Sequence, residues 1–328
     1  MLVDGCGRQI TYLRVSVTDR CNLRCVYCMP AEGVKWQSHE SIMRYEEIAA
    51  IVRVAAKEGI SEIRLTGGEP LVRKDLSDLV HQIAQINGVR DISLTTNGIL
   101  LEDQAQELST AGLNRVNVSL DTMSAEKFQR ITRGGEIDRV LRGLEKAEEA
   151  GLTPIKINVV ILKGVNDDEI HAFANLTRVH PWHIRFIELM PIRNQKSWGD
   201  GFPEPKTMYL SNQEVIAILV SQGLKKMDRS TGSGPANEYQ IPGAKGTIGF
   251  INPMSQSFCE RCNRLRLTSD GNLRPCLLSD VEVPILEALR KGEDIRPLLH
   301  QAVAIKPESH ELANHLSPTL RCMMQIGG

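Results

Sequence analysis

Between Tyr12 and Met190, short runs of alternating apolar and polar residues are separated by longer stretches whose apolar residues recur every three or four positions. A period of two reads as strand and a period near 3.6 as amphipathic helix. Six strands are predicted, at Tyr12–Val17, Glu62–Thr66, Asp91–Thr96, Arg115–Asp121, Ile155–Val160 and His183–Met190. Between them, Tyr45–Glu58 gathers Ile48, Ile51, Val52 and Ala55 on one helical face, and Asp75–Gln85 gathers Leu76, Leu79, Val80 and Ile83. Leu101–Ala111 and Ile137–Ala150 are predicted helices too, and Gly59, Gly112 and Gly151 stand where left-handed caps would end their helices. Repeated βα units imply parallel strands with right-handed crossovers. Six units are too few for a closed eight-fold barrel, which leaves an open partial barrel or a doubly wound sheet.

The strands separate these two. Parallel strands covered on both faces read as nearly unbroken apolar runs. Here Arg14 and Ser16 alternate with Leu13, Val15 and Val17; Arg64 and Thr66 flank Leu65; Ser93 and Thr95 alternate with Ile92 and Leu94. Asn117, Ser119 and Asp121, then Lys156 and Asn158, then Arg185 continue the pattern. One sheet face therefore meets helices and the other lines a polar lumen, which favours an α/β fold built on a partial (β/α)6 TIM-like barrel over residues 1–192. Half-exposed antiparallel strands would also alternate, but the intervening helices argue against them.

From residue 193 the pattern changes. Arg193–Tyr209, with Pro203 and Pro205, reads as a long loop, Ser211–Gln222 as a helix, and Gly232–Phe250 as Gly-rich hairpin-like chain. Asp270-Gly271 is a turn signal between Arg264–Thr268 and Leu273–Cys276. Residues 193–328 are expected to form an α+β region that closes the barrel.

Six of the eight cysteines fall in two triads: Cys21, Cys25 and Cys28 after the first strand, and Cys259, Cys262 and Cys276 around the C-terminal hairpin. A zinc ribbon needs a fourth Cys or His. The nearest His after Cys28 is His39, and no His lies between His183 and His300. Three thiolates suit a [4Fe–4S] cluster with one iron left open to a small molecule, so two such clusters are expected. Cys6 and Cys322 read as ordinary free thiols. Thr66-Gly67-Gly68-Glu69-Pro70 follows the second strand as the first triad follows the first. These are the positions where parallel barrels build their sites, and glycine there lets backbone approach closely.

Arg14, Arg64, Lys156 and Arg185 come from four lumen-facing strand positions, and Arg264 and Arg266 alternate with Leu265 and Leu267 in the hairpin. Buried cations need anions. Asp121 and Glu188 could satisfy some, and a polyphosphate ligand is an equally economical partner. No P-loop, dinucleotide fingerprint, HExxH or G-x-S-x-G accompanies them. A net charge of −1 gives no global field for a nucleic-acid polymer or an acidic membrane. Without a secretory or membrane-spanning run, and with clustered thiols, a cytoplasmic protein is expected.

The C-x3-C-x2-C triad with Tyr27 before its last cysteine, followed by Gly67-Gly68-Glu69-Pro70, resembles the radical S-adenosylmethionine superfamily. Thr18–Asn22, Leu65–Pro70, Thr95–Gly98, Asn117–Asp121, Lys156–Val160, Arg185–Glu188, Phe258–Leu267 and the final Gly327-Gly328 resemble the GTP 3′,8-cyclases of molybdenum-cofactor biosynthesis across the whole chain. Leu23 departs from the aromatic more usual there, a change of packing. The resemblance implies that Cys21, Cys25 and Cys28 hold the cluster that binds S-adenosyl-L-methionine, which Tyr27, Gly68, Ser119 and Met190 contact. Cys259, Cys262 and Cys276 would hold the second [4Fe–4S] cluster, which meets the guanine. Arg14, Arg64, Thr95, Lys156, Arg264 and Arg266 would bind GTP, joined by Arg185 from the lumen pattern, and Gly327 and Gly328 would act in catalysis.

The implied chemistry is reductive cleavage of S-adenosylmethionine to a 5′-deoxyadenosyl radical, hydrogen abstraction from C3′ of GTP, and closure onto C8. An external electron donor and a downstream cyclic pyranopterin-forming enzyme would be partners, and the chain a monomer or homodimer. A radical S-adenosylmethionine peptide-maturation enzyme with an auxiliary cluster is the alternative, but a peptide does not call for several buried Arg and Lys.

Overall fold

The computed structural model of the chain describes residues 1–190, 198–199, 201–227, 234–310 and 321–327. Its strands are β1 (Tyr12–Ser16), β2 (Glu62–Thr66), β3 (Asp91–Thr96), β4 (Arg115–Ser119), β5 (Lys156–Ile161), β6 (His183–Glu188), β7 (Lys225–Lys226), β8 (Asn237–Gln240), β9 (Thr247–Ile251), β10 (Arg264–Leu267), β11 (Asn272–Arg274) and β12 (Val283–Pro284). The helices are α1 (Tyr45–Lys57), α2 (Leu76–Ala84), α3 (Leu101–Thr110), α4 (Ala125–Thr132), α5 (Ile137–Glu149), α6 (Ile170–Val179), α7 (Asn212–Leu219), α8 (Leu286–Arg290) and α9 (Arg296–Ala304).

Each predicted strand and helix of the βα repeat is present, within a few residues at its ends. Helix α4 adds a second helix to the crossover between β4 and β5. It is eight residues long and buries only Phe128, Ile131 and Thr132, too short a run to mark a period in the sequence, and Ser124 caps it by accepting from Lys127 N at 3.4 Å. All strands form one sheet in the order β12-β11-β10-β1-β2-β3-β4-β5-β6-β9-β8-β7. Strand β10 lies parallel to β1 and β9 parallel to β6, so two C-terminal strands extend the six-stranded arc at both edges. The β10–β11 and β8–β9 pairs are antiparallel hairpins, although part of the Gly-rich stretch, including Gly232, lies outside the described residues.

One sheet face packs on the helices. Leu13, Val15, Leu65, Leu94, Val118, Ile157 and Phe186 are buried there. From α1, Ile48, Ile51, Val52 and Ala55 have no exposed surface, and each of the larger three contributes about 1.5–3 kcal/mol by burial. The opposite face carries the polar set. No helix among the described residues is long and apolar enough to cross a membrane.

Candidate functional site

The polar face bounds a cavity of about 490 Å³ lined by Arg14, Arg64, Thr95, Lys156, Arg185, Arg264 and Arg266 together with Tyr27, Ser119 and Met190. This lies within the roughly 300–1,000 Å³ usual for small-molecule sites. Strand register explains the convergence: Arg14 pairs with both Arg64 and Arg266, and Asn158 with Arg185, so side chains of equal parity stack across neighbouring strands. Arg115, missed in the sequence, also lines the cavity. Its parity with Asn117 and Ser119 was the available signal; it forms an ion pair with Asp91 on β3.

The crowd of cations has an electrostatic signature. Burial and then Arg185, Arg115 and Arg64 press the Lys156 ammonium down to about 7. Burial and Arg64 bring Arg185 to about 10, and burial and Arg264 bring Arg266 to about 10. Burial, Lys156 and Arg185 hold His183 near 4. Asp121 and Glu188 are committed elsewhere, contrary to the suggestion that they serve the lumen cations. Asp121 accepts from Tyr27 Oη at 2.5 Å and from Val160 N at 2.8 Å. Glu188 accepts from the backbone N–H groups of Asn212, Met254 and Ser255 and from Ser255 Oγ. Thr95 Oγ1 and Asn158 Oδ1 are buried with no hydrogen-bond partner among the described residues. Buried polar atoms of this kind are free to meet a ligand's polar groups.

The first triad sits on the loop after β1. Backbone bonds from Arg24 N to Thr132 O (2.9 Å) and Val26 N to Ile131 O (2.9 Å) fix this loop to the end of α4. On its other side, Gly68 N reaches Thr18 O at 2.8 Å and Glu69 N reaches Arg20 O at 2.7 Å. A Cβ on Gly68 would stand 2.3 Å from the Arg20 carbonyl oxygen, so glycine is required there by the cysteine loop itself. Glu69, buried, accepts from Leu71 N, Thr96 Oγ1 and Asn97 N and ties the turn to β3.

No three His, Cys, Asp or Glu side chains among the described residues form a single-ion site. An iron–sulfur core spreads its thiolates over several irons, so its ligands stand farther apart than those of one ion. The chemistry of the donor set fits such a group. No disulfide joins any of the eight cysteines. Burial pushes Cys21 up to about 11; burial and then Cys28 raise Cys25, and burial and then Cys21 raise Cys28. Three thiolates together are unfavourable here without a cationic core to take their charge. His39 lies against Arg20, its Nε2 3.2 Å from the guanidinium.

The second triad occupies the turn before β10 (Cys259 and Cys262) and the chain just beyond β11 (Cys276). Burial opposes the Cys262 thiolate, but Lys306 and Arg264 outweigh it and hold this thiol below its usual value. Cys276 is raised by burial, and Leu278 N donates to its sulfur at 3.4 Å.

The tail enters the sheet interior. Ile326 is buried, and Arg266 Nη1 donates to the carbonyls of Ile326 (3.2 Å) and Gly327 (2.7 Å). Gly327 has φ +67°, with a hypothetical Cβ 2.7 Å from Thr66 Cγ2. Gly328 lies outside the described residues. Arg266, read as a phosphate ligand, therefore also holds the tail, while Arg264 stacks its guanidinium 5.2 Å from the Phe258 ring centroid. Cys322, far from the first triad in sequence, is buried in an apolar cluster with Met29 and Met324, against Cys21 and Cys28.

Residues 15–177 match the radical SAM superfamily, and residues 182–312 match Molybdenum Cofactor Synthesis C. The chain is 50% identical over 330 residues to the GTP 3′,8-cyclase of Pelotomaculum thermopropionicum, covering 99% of each. It is 51% identical over 329 residues to that of Moorella thermoacetica, again covering 99% of each. Among solved structures, it resembles Streptococcus suis SuiB bound to precursor peptide SuiA, with TM-score 0.62, 14% identity, and coverage of 90% of this chain and 67% of that one. It also resembles native anSMEcpe with bound AdoMet, with TM-score 0.57, 16% identity, and coverage of 93% of this chain and 82% of that one. These two likenesses concern the fold. The full-length identity reaches further, and the chain belongs to the GTP 3′,8-cyclase family of radical S-adenosylmethionine enzymes.

Proposed function

We propose that this protein cyclises GTP to 3′,8-cyclo-7,8-dihydro-GTP, a lyase reaction and the first step of molybdenum-cofactor biosynthesis. The observation that carries the reading is a cavity rimmed by seven cations, six of them predicted by strand alternation and the seventh Arg115, that opens beside a loop bearing three free thiols. Cys21, Cys25 and Cys28 would hold one [4Fe–4S] cluster with S-adenosylmethionine beside Tyr27, Ser119 and Met190; Gly68 would act through the loop it holds. Cys259, Cys262 and Cys276 would hold a second cluster. Bound there, the cluster would supply the electron for reductive cleavage of S-adenosylmethionine, the source of the hydrogen-abstracting group.

The chain's own residues bind and orient. Arg14, Arg64, Lys156, Arg185, Arg264 and Arg266 receive the triphosphate and ribose oxygens. Thr95 and Asn158 offer unused hydrogen-bonding atoms, and the tail at Gly327 narrows the lumen and excludes water. Both partial domains contribute: residues 1–192 supply the first site, and residues 193–328 bring the second against it. An external donor supplies electrons, a pyranopterin-forming enzyme takes the product, and the protein acts in the cytoplasm as a monomer or homodimer.

The test is anaerobic incubation of reconstituted protein with GTP, S-adenosylmethionine and a strong reductant. 5′-Deoxyadenosine and cyclised nucleotide should form only when GTP is present. Formation with a peptide and not with GTP would return the reading to peptide maturation.

A further inference from the structure

The second triad draws its ligands from two backbone segments: the turn before β10, which carries Cys259 and Cys262, and the chain beyond β11 at Cys276. Two buried cations hold both. Arg8 donates through Nη1 to Cys259 O at 2.8 Å. Lys306 donates through Nζ to Arg264 O at 2.8 Å and to Pro275 O at 2.6 Å, the residues two beyond Cys262 and one before Cys276. The two cations also share one strap of chain, because Arg8 donates to Pro307 O (2.6 Å) and Glu308 O (2.8 Å), immediately after Lys306. Each side chain is about nine-tenths buried or more, at 8% and 7% exposure.

Their charges are balanced differently. Arg8 is neutralised locally, since its Nε meets Asp4 Oδ2 at 2.6 Å. The ion pairs among the described residues give Lys306 no carboxylate. An ammonium has three donors, and two of them are taken by carbonyls. A buried, uncompensated cation is costly, so a nearby anion is expected. The neighbours its charge acts on are the sulfurs of Cys262 and Cys276, which are thiolates when they hold a metal. A 2+ iron–sulfur core bearing three thiolates carries net negative charge, and becomes more negative on reduction.

Resting on the reading that this triad holds a second [4Fe–4S] cluster, we propose that Arg8 and Lys306 are its positioning residues. Arg8 clamps the Cys259 segment to the 306–308 strap, and Lys306 clamps the two hairpin arms together. The Lys306 charge favours the reduced cluster and so raises its potential, as charge and hydrogen bonds around a cluster's sulfurs do.

The test uses the full chain with Cys21, Cys25 and Cys28 replaced by Ala, reconstituted with iron and sulfide, so that only the second site can fill. This parent should bind about four irons. In K306M and K306Q the cluster's midpoint potential, followed by electron paramagnetic resonance, should fall. The reduced-to-oxidised ratio at the parent's midpoint should drop about tenfold, which is 59 mV for one electron. K306R, which keeps the charge, should recover most of that shift, and R8Q should bind less iron than the parent. Purely structural clamping would lower iron content or melting temperature but not the potential of the clusters that do form. K306Q keeps an N–H donor for the carbonyls and decides the matter if K306M fails to fold. Unchanged potentials in folded, iron-loaded K306Q would overturn the inference. A parent that takes up no iron would overturn the second-cluster reading itself.

Discussion

Replacing Gly327 by Ala adds one methyl group at a point where the structure leaves no room for it. Two costs follow. The backbone has φ +67°, a left-handed conformation that disfavours a residue with a Cβ by about 1–2 kcal/mol. The new Cβ would also stand 2.7 Å from Thr66 Cγ2, well inside the roughly 3.5–4.0 Å at which carbons attract, and overpacking of this kind adds about 1 kcal/mol or more. Together these come to about 2–3 kcal/mol. Arg321, Cys322 and Met324 hold the preceding turn through ion pairs and apolar burial, so the strain falls on the last residues, anchored by the buried Ile326 and the two carbonyls on Arg266. The cost should therefore appear as undocking of the tail. Converted at about 1.4 kcal/mol per factor of ten, it is a fall of about 30- to 150-fold in GTP-dependent product formation.

The assay is anaerobic turnover, with iron content and thermal unfolding as controls. Gly327→Ala touches no cysteine and should change neither control. Thr66→Ser removes the opposing methyl and nothing from the sheet ladder, so the G327A/T66S double variant should regain the overlap part, about fivefold, while the backbone part stays lost. Full-rate turnover by G327A would refute the claim that a docked tail is needed for catalysis. A double variant no better than G327A would refute the claim that Thr66 is what the tail meets.

Other perturbations read other parts of the site. Gly68→Ala places a Cβ 2.3 Å from the Arg20 carbonyl, so it should displace the first cysteine loop and cost about half of roughly eight irons, as C21A/C25A/C28A would; C259A/C262A/C276A should remove the other half. Arg264→Ala and Arg266→Ala should each weaken GTP binding about ten- to a hundred-fold by calorimetry and leave guanosine binding nearly unchanged. Arg266→Ala should lose turnover beyond its lost affinity, because it also releases the tail. Lys156, pressed to about 7 from 10.5, leaves the unfolded chain holding the extra proton between those values, so its contribution makes stability rise with pH across that window. Lys156→Met should be more stable than the parent below pH 7, with the gap closing as pH approaches 10.5, while GTP affinity falls about ten- to a hundred-fold. A parent with no pH slope attributable to Lys156 would contradict the burial argument.

Parity along the strands made the lumen legible in the sequence. Arg14, Arg64, Lys156 and Arg185 sit where alternation puts them because a pleated strand leaves a side chain only two faces. Arg115 obeyed the same rule and was passed over at the very start of its strand. What the sequence could not carry was pairing over long separations. Nothing local in Arg264–Leu267 says that it lies beside β1, or in Thr247–Ile251 that it lies beside β6, since parallel register has no turn to announce it. The same limit hid Arg8 and Lys306, whose partners, Asp4 apart, are far away in the chain and are backbone carbonyls. Gly68 shows a third case: its type is legible, but its close approach to the Arg20 carbonyl depends on how two loops pack together.

The cations of the lumen explain why one cavity can be both destabilising and useful. Each was drawn from water into the company of its own kind, and the downward shifts of Lys156, Arg185 and Arg266 record that cost. A protein selected only for stability would balance each of them with a carboxylate, as Asp91 balances Arg115. Here the nearby Asp121 and Glu188 are turned to Tyr27 and to the 254–255 backbone, so the positive field stays open. A triphosphate entering it restores charge balance and hydrogen bonding together, and so offsets the cost of gathering these cations. Binding energy of that origin is greatest for a polyanion and small for an uncharged analogue, which is why GTP and guanosine should differ far more here than their shared base and ribose suggest.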